Sequence, residues 1–497
     1  MDFDVEQLDQ ALLGGSAVIL VAVLAVRVSV RVGLPSLLIY LLLGVVLGTG
    51  GLGIEFDNAE VAHALGFAAL IIILTEGGVT TSWQDLRPAM RTGALLATVG
   101  VAVGVGSMAL MAHFWLGFSW ELAVLLAAVT APTDAAAVFS VLRRVPLPRR
   151  LTGPLEAESG LNDAPTVLLV ILASEGKLFH EGVAHVGGLI VYELAVGVLL
   201  GLGLGRAGAW AMRRAALPAS GLYPLTVLSI AILSYGVAVV LLHASGFAAV
   251  YAAALVLGNT EMPHRTATKS FIEGLGWLSQ IGLFVMLGLL LSPDQLTWSG
   301  MWQAVLAGGL LALVARPLSV LASVVWARMP WPDVVFLSWA GLRGAVPVVL
   351  ATIPLAAGVE GARDLFNVVF VLVVIDTLVT APTLPWLART LRLLDPSELR
   401  DLDIETAPLD RIAVDLLQIR ITRRSAMHGV EVGELRLPRG ASVTLVVRDG
   451  ETKVPSGRTV LRRGDEVLVV TPRRLRAETE DRLRAVSLRG RLATWLE

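Results

Sequence analysis

The 497-residue chain has no cysteine, few aromatic residues (6%) and few charged ones (16%). Without cysteine there is no disulfide framework, no thiolate metal site and no thiol nucleophile. A soluble chain of ordinary composition carries about 25% charged residues, so the shortage of charge argues against a soluble enzyme. The formal net charge of -2 leaves no basic footprint for nucleic acid, and none is expected as a partner. Apolar residues take the place of charge, at 55% of the chain, which is the composition of an integral membrane protein.

The polar residues are unevenly placed. Nearly half of the 39 Lys and Arg and 41 Asp and Glu residues fall within 395–497, so a membrane domain is followed by a polar tail. Before residue 395 the sequence holds about thirteen apolar stretches near 20 residues long, the length that crosses a hydrocarbon core of about 30 Å. Alternate connections carry Arg27 and Arg31, Arg87 and Arg91, Arg143 to Arg150, Arg206 to Arg214, Arg265 and Lys269, Arg328, and Arg389 and Arg392. The intervening connections hold little beyond Lys177 and Arg363, about sixteen basic residues against about two. That asymmetry sets the N-terminus outside and the tail in the cytoplasm. The acids Asp2, Asp4, Glu6 and Asp9 before the first stretch argue for a span rather than a cleaved signal. Trp83, Trp115, Trp120, Trp298 and Trp302 are expected as interface anchors, and Gly14-Gly15 and Gly201 to Gly205 as sites of close helix packing.

A charged side chain near a bilayer centre costs at least about 2.5–3.5 kcal/mol, so such residues mark candidate sites. Glu76, Asp134, Glu158, Asp163, Arg316, Arg343 and Asp376 qualify. The densest stretch begins with Thr130-Ala131-Pro132-Thr133-Asp134, where proline interrupts an apolar helix. Pro132 has no amide to donate and disfavours helical geometry at Ala131, so an unwound segment at membrane depth is expected. Unwound backbone is tolerated there only where it is buried in protein or lines a polar cavity. Its freed carbonyls suit a cation, and Thr133 and Ser159 add hydroxyl oxygens. Asp163, in Glu158-Ser159-Gly160-Leu161-Asn162-Asp163, is the residue best suited to chemistry. A proton and a cation compete for one buried carboxyl. If the site changes sides only when one of them is bound, the two fluxes are coupled without ATP. Asn162 is neutral and is read as a hydrogen-bond partner of the unwound segment, and Glu158 as half of an ion pair facing another neighbour.

Four ordered segments carry a resemblance: Ala131-Pro132-Thr133-Asp134-Ala135, the Glu158 to Asp163 run, Ala315-Arg316-Pro317 and Gly341-Leu342-Arg343-Gly344-Ala345. Together they resemble the monovalent cation:proton antiporters of the sodium/hydrogen exchanger superfamily, most closely bacterial potassium/proton antiporters with a cytoplasmic regulatory tail. The resemblance implies an all-α membrane fold of about thirteen helices in two inverted repeats, with crossed discontinuous helices. It also implies a homodimer with a mobile ion-carrying core, elevator-like alternating access and electroneutral exchange. By the same resemblance Asp163 carries ion and proton, Asn162 is its partner, and Thr133 and Ser159 are oxygen ligands of a monovalent cation. Glu158 and Arg316 correspond to a buried ion pair, with Arg343 as the second choice of partner. Asp134 and Arg343 correspond to charges that neutralise the ends of the crossed helices, and Asp134 is grouped with the ion site. Two positions depart from the pattern: Asp376 stands where glutamine is common, and Glu76 where aspartate is. Asp376 is expected near the cytoplasmic end of its span.

The tail reads as a small α+β domain over 408–490, joined by a linker over 395–407. Strands are expected within 412–422, 442–447 and 466–470, a turn at Arg448-Asp449-Gly450-Glu451, and a helix over 473–486. The run from Gly433 to Asp465 resembles the C-terminal module of regulators of potassium conductance. That resemblance implies a dimeric regulatory module with a small ligand such as a nucleotide; no glycine-rich phosphate loop is present, and no other cofactor is expected. The function expected is exchange of potassium, or alternatively sodium, for protons across a bacterial cytoplasmic membrane. The alternative is a regulated potassium channel or uniporter, which lacks here a Thr-Val-Gly-Tyr-Gly type of filter. An intramembrane protease is disfavoured, since neither Gly-x-Gly-Asp nor Gly-x-Ser-Gly occurs.

Overall fold

The computed structural model describes residues 5–490 except 33–35, 55, 143–144, 146, 181, 216, 292–295, 328, 395–401, 410–413, 423–424 and 449. A helical unit ends at Leu394, and a smaller unit follows from Asp395.

Among the described residues, seven helices are long and apolar enough to cross a membrane, Val183–Ala215 and Ala362–Thr390 among those stretches. Others are apolar but short, because the chain unwinds inside them: Trp120–Val129 stops at Thr130, and Trp331–Trp339 at Ala340. Large apolar side chains such as Leu13, Leu24, Leu199 and Leu241 lie exposed on the outside of this unit, as a hydrocarbon surround requires. Among the described residues three turns are π-helical, at Leu96–Gly100, Val237–Leu241 and Leu311–Ala315. The third delivers Arg316 to the start of the next helix, Arg316–Val324.

Small residues let helices approach closely in lipid. Gly197, Gly201 and Gly205, spaced by four, sit on Ser245, the N-cap of the Gly246–Asn259 helix, and on Ala249 and Ala253 within it, where a methyl group would meet backbone. Gly14 and Gly15, expected to play the same part, meet no neighbour.

The second unit is a five-stranded antiparallel sheet in the order β1-β2-β5-β3-β4. The strands are β1 (Leu402–Leu409), β2 (Val414–Ile421), β3 (Ser442–Arg448), β4 (Glu451–Lys453) and β5 (Glu466–Pro472), followed by a helix at Arg476–Arg489. The segment expected to link the domains therefore becomes a strand at Leu402, through pairing with β2; residues 395–401 lie outside the described residues. Leu417, Ile419, Val467, Val469 and Leu483 form the core of this unit. Asp465 is 1% exposed and holds the guanidinium of Arg448 at 2.7 and 2.8 Å and the Arg462 amide at 2.7 Å. Burial pushes its carboxyl up, but these hydrogen bonds and the Arg448 and Arg462 charges outweigh it and hold Asp465 below the usual carboxylate range.

Candidate functional site

The site is built where two unwound segments meet. The first, 130–134, separates Trp120–Val129 from Ala135–Leu142. The second, 340–344, separates Trp331–Trp339 from Ala345–Leu350. The Asp134 amide donates to the Leu342 carbonyl at 2.8 Å, so one segment satisfies the other's backbone.

Each segment leaves two helix ends pointing into protein. The Asp134 carboxylate accepts from the Ala137 amide at 3.1 Å, capping the Ala135–Leu142 helix. It also lies against Gly344, which immediately precedes Ala345–Leu350; a methyl group on Gly344 would collide with it. One negative charge thus faces two helix N-termini. Arg343 does the converse: its Nε donates to the Thr130 carbonyl at 3.2 Å and its Nη1 to the Gly341 carbonyl at 2.6 Å. Those carbonyls lie at or just past the C-termini of Trp120–Val129 and Trp331–Trp339. Charges of these signs at these ends oppose the partial charges of the helix dipoles.

The Arg149–Ser174 helix brings Asn162 and Asp163 to the first unwound segment. Asn162 Nδ2 donates to Thr133 Oγ1 at 3.0 Å, which ties that helix to the unwound chain. Asn162 Oδ1 and Asp163 Oδ1 are both buried without a hydrogen-bond partner. Ser159, four residues before Asp163, shares its helix face and is half-buried. The charge of Asp134 acts on Asp163. Orphaned acceptor oxygens beside unwound backbone have the donor chemistry of a cation or proton site, since a buried acceptor left without a partner is costly.

Glu158 points elsewhere. Arg316 Nη1 meets Glu158 Oε1, Arg316 Nη2 meets Oε2 at 2.8 Å, and Nη2 also reaches the Leu337 carbonyl at 3.3 Å. Arg316, not Arg343, is the partner of Glu158, in a bidentate pair whose side chains are 5% and 2% exposed.

Two acids singled out at membrane depth but given no part in the ion site lie close by. Glu76 is half-buried, and the charges of Glu273 and Asp134 act on it. The sequence marks Glu76 as an acid at membrane depth standing where aspartate is common, but its coupling to Asp134 depends on packing that one sequence does not reveal. Asp376, expected near a helix end, lies at the middle of Ala362–Thr390 and is 6% exposed.

The sodium/hydrogen exchanger transmembrane family matches residues 17–390, which contain all of these groups. The chain belongs to that family. It is a member of a transporter family, then, and not an enzyme. The TrkA-C domain family matches residues 416–484, within the β-sheet unit. The chain is 36% identical over 475 residues to the K(+)/H(+) antiporter NhaP of Alkalimonas amylolytica, covering 94% of this chain and 82% of that one. It is 34% identical over 486 residues to the K(+)/H(+) antiporter NhaP2 of Shewanella oneidensis, with the same shares covered. The Na(+)/H(+) antiporter NhaS2 of Synechocystis is a more distant relative, at 27% identity over 66% of this chain and 62% of its own. Among solved structures, the sodium proton antiporter MjNhaP1 of Methanocaldococcus jannaschii shares the fold with a TM-score of 0.67 at 21% identity, over 77% of this chain and 99% of that one.

Proposed function

We propose that this protein exchanges a monovalent cation for protons, with Asp163 as the carboxyl for which the two compete. The observation that carries this reading is the pair of buried, unpartnered oxygens on Asn162 and Asp163 beside the unwound 130–134 segment. A cation there draws on Asp163, Asn162, the Ser159 hydroxyl and the oxygens of Thr133. A proton on Asp163 neutralises the same carboxyl, so either occupant removes a buried charge that would otherwise oppose movement across the bilayer.

Asp134 and Arg343 hold the ends of the unwound helices, and Glu158 with Arg316 fixes the framework around them. The resemblance implies alternating access in a thirteen-helix protein of two inverted repeats, working as a homodimer, in which the crossing would carry its occupant between the two faces. Potassium is the favoured cation, since the two most similar relatives named above are K(+)/H(+) antiporters and the tail matches a TrkA-C domain. The asymmetry of basic loops puts the N-terminus outside a bacterial cytoplasmic membrane and the tail inside, where it adjusts exchange in response to a small ligand such as a nucleotide.

The test uses purified protein in proteoliposomes with an internal pH-sensitive dye. Potassium, sodium and lithium are added separately to wild type and to Asp163→Asn. Exchange predicts that a cation discharges an imposed proton gradient in wild type and that Asp163→Asn abolishes this. Cation entry without proton movement would favour a uniporter instead.

A further inference from the structure

Half-buried Glu76 aside, the charges described at the crossing leave one fully buried carboxyl without an ion-pair partner. Glu158 is matched by Arg316 in a closed bidentate pair. Asp134 faces two helix N-termini, each worth about +0.5 of a charge, and Arg343 faces two C-termini, each worth about -0.5. Those groups cancel. Asp163 has its exchanging occupant. Asp376 remains, in mid-helix and 6% exposed.

Its surroundings provide no ion pair. The carboxylate receives the Thr380 hydroxyl on Oδ1, at 3.4 Å, and a backbone hydrogen bond from Arg343, while Oδ2 is buried with no hydrogen-bond partner. The positive charges that act on it are Arg343 and, more weakly, Arg316. Arg316 is engaged by Glu158, and Arg343 directs Nε and Nη1 to the Thr130 and Gly341 carbonyls. The helices packed against Ala362–Thr390 include Trp120–Val129 and Trp331–Trp339, which carry Glu121 and Asp333; both are acids, and Asp333 is held by Arg150. The helices Trp298–Leu310, Ala135–Leu142, Ala345–Leu350 and Thr352–Ala356, also in contact, carry no titratable side chain. On its own helix, Arg363, Asp364 and Arg389 lie more than three turns away.

We propose that Asp376 is a second proton-binding carboxyl, and that it keeps its proton throughout the exchange cycle. An uncompensated buried carboxylate costs several kcal/mol, and a proton on Oδ2 removes that charge. Asp376 is then a neutral positioning group for the second unwound segment, beside Thr377, whose hydroxyl reaches the Arg343 carbonyl at 3.3 Å. Exchange at Asp163 therefore stays one cation for one proton, a consequence that rests on the exchange reading above.

The test is infrared spectroscopy of the full chain, comparing wild type with Asp376→Asn in potassium-containing buffer. The expected result is a carbonyl stretch of a protonated carboxyl in wild type that Asp376→Asn removes and Asp163→Asn retains. It should persist from mildly acid to mildly alkaline buffer. In proteoliposomes Asp376→Asn, a neutral isostere, should exchange at about the wild-type rate and without sustained current. A difference spectrum without that band, or a wild-type band that fades as the buffer turns alkaline, overturns the proposal. So does loss of exchange in a monodisperse Asp376→Asn protein, because the charge would then be in use. Should Asp376→Asn not fold, the pH series on wild type decides alone. If wild type itself moves no protons, the exchange reading fails while the infrared comparison still decides Asp376.

Discussion

Arg316 meets Glu158 through both of its terminal guanidinium nitrogens, joining two nearly solvent-free side chains 158 positions apart in the chain. Removing one partner strands the other charge in the interior, at a cost of about 3–5 kcal/mol. Glu158→Leu and Arg316→Leu should each lower the thermal unfolding midpoint in detergent. The double variant Glu158→Leu/Arg316→Met should recover most of the loss, since a buried pair replaced by apolar side chains is often neutral. Single variants with a wild-type midpoint would show that the pair contributes little.

Arg343 serves two helix ends with one side chain. Arg343→Leu removes both contacts, and a partly buried charge at a helix end contributes up to about 2 kcal/mol, so proton-coupled flux should fall by about tenfold or more. Arg343→Lys retains the charge but not the fork of donors and should lie between the two. The initial rate of dye response in proteoliposomes measures the series.

Gly344 leaves no room for a side chain beside the Asp134 carboxylate. Gly344→Ala should destabilise the protein by about 1–3 kcal/mol, the usual scale of overpacking. Adding Asp134→Ala should relieve the collision without restoring exchange, because two helix N-termini then lose their charge. Thermal unfolding and flux, measured side by side, separate the two effects.

How much of this was legible in the sequence differs from residue to residue. Pro132 announces the first unwound segment because proline cannot continue a helix. The second, 340–344, contains no proline; Gly341, Gly344 and Arg343 pointed to it only as part of a family pattern. The Leu342 carbonyl that binds Asp134 could not be foreseen, since backbone partners depend on how the two segments cross. The π-turns ahead of Val101 and Arg316 alter register without altering composition. Asp376 was misplaced toward a helix end because hydropathy locates a span better than its depth. In the tail, alternation marked β2, β3 and β5, whereas β1 owes its state to pairing with β2.

Asp465 gives the tail a pH dependence of definite sign. Its carboxyl lies below the usual range in the folded protein, so the stabilisation is complete above the unfolded carboxylate value of about 3.9. It is lost as the pH falls through the folded value. Hydrogen exchange at β3 and β5 amides of the full chain should accelerate on acidification through that range in wild type, with a smaller change in Asp465→Asn. Equal acid sensitivity in the two proteins would count against the Asp465–Arg448 contact as the cause.

The central claim is that one carboxyl, Asp163, serves proton and cation in turn. Its most direct measurement is the apparent KM of wild-type exchange for potassium over a series of pH values in proteoliposomes. Competition at one group predicts that KM rises in proportion to proton concentration on the acid side while the maximal rate is unchanged. A maximal rate that falls with acidification at constant KM, or the same pH response in Asp163→Asn, would contradict it.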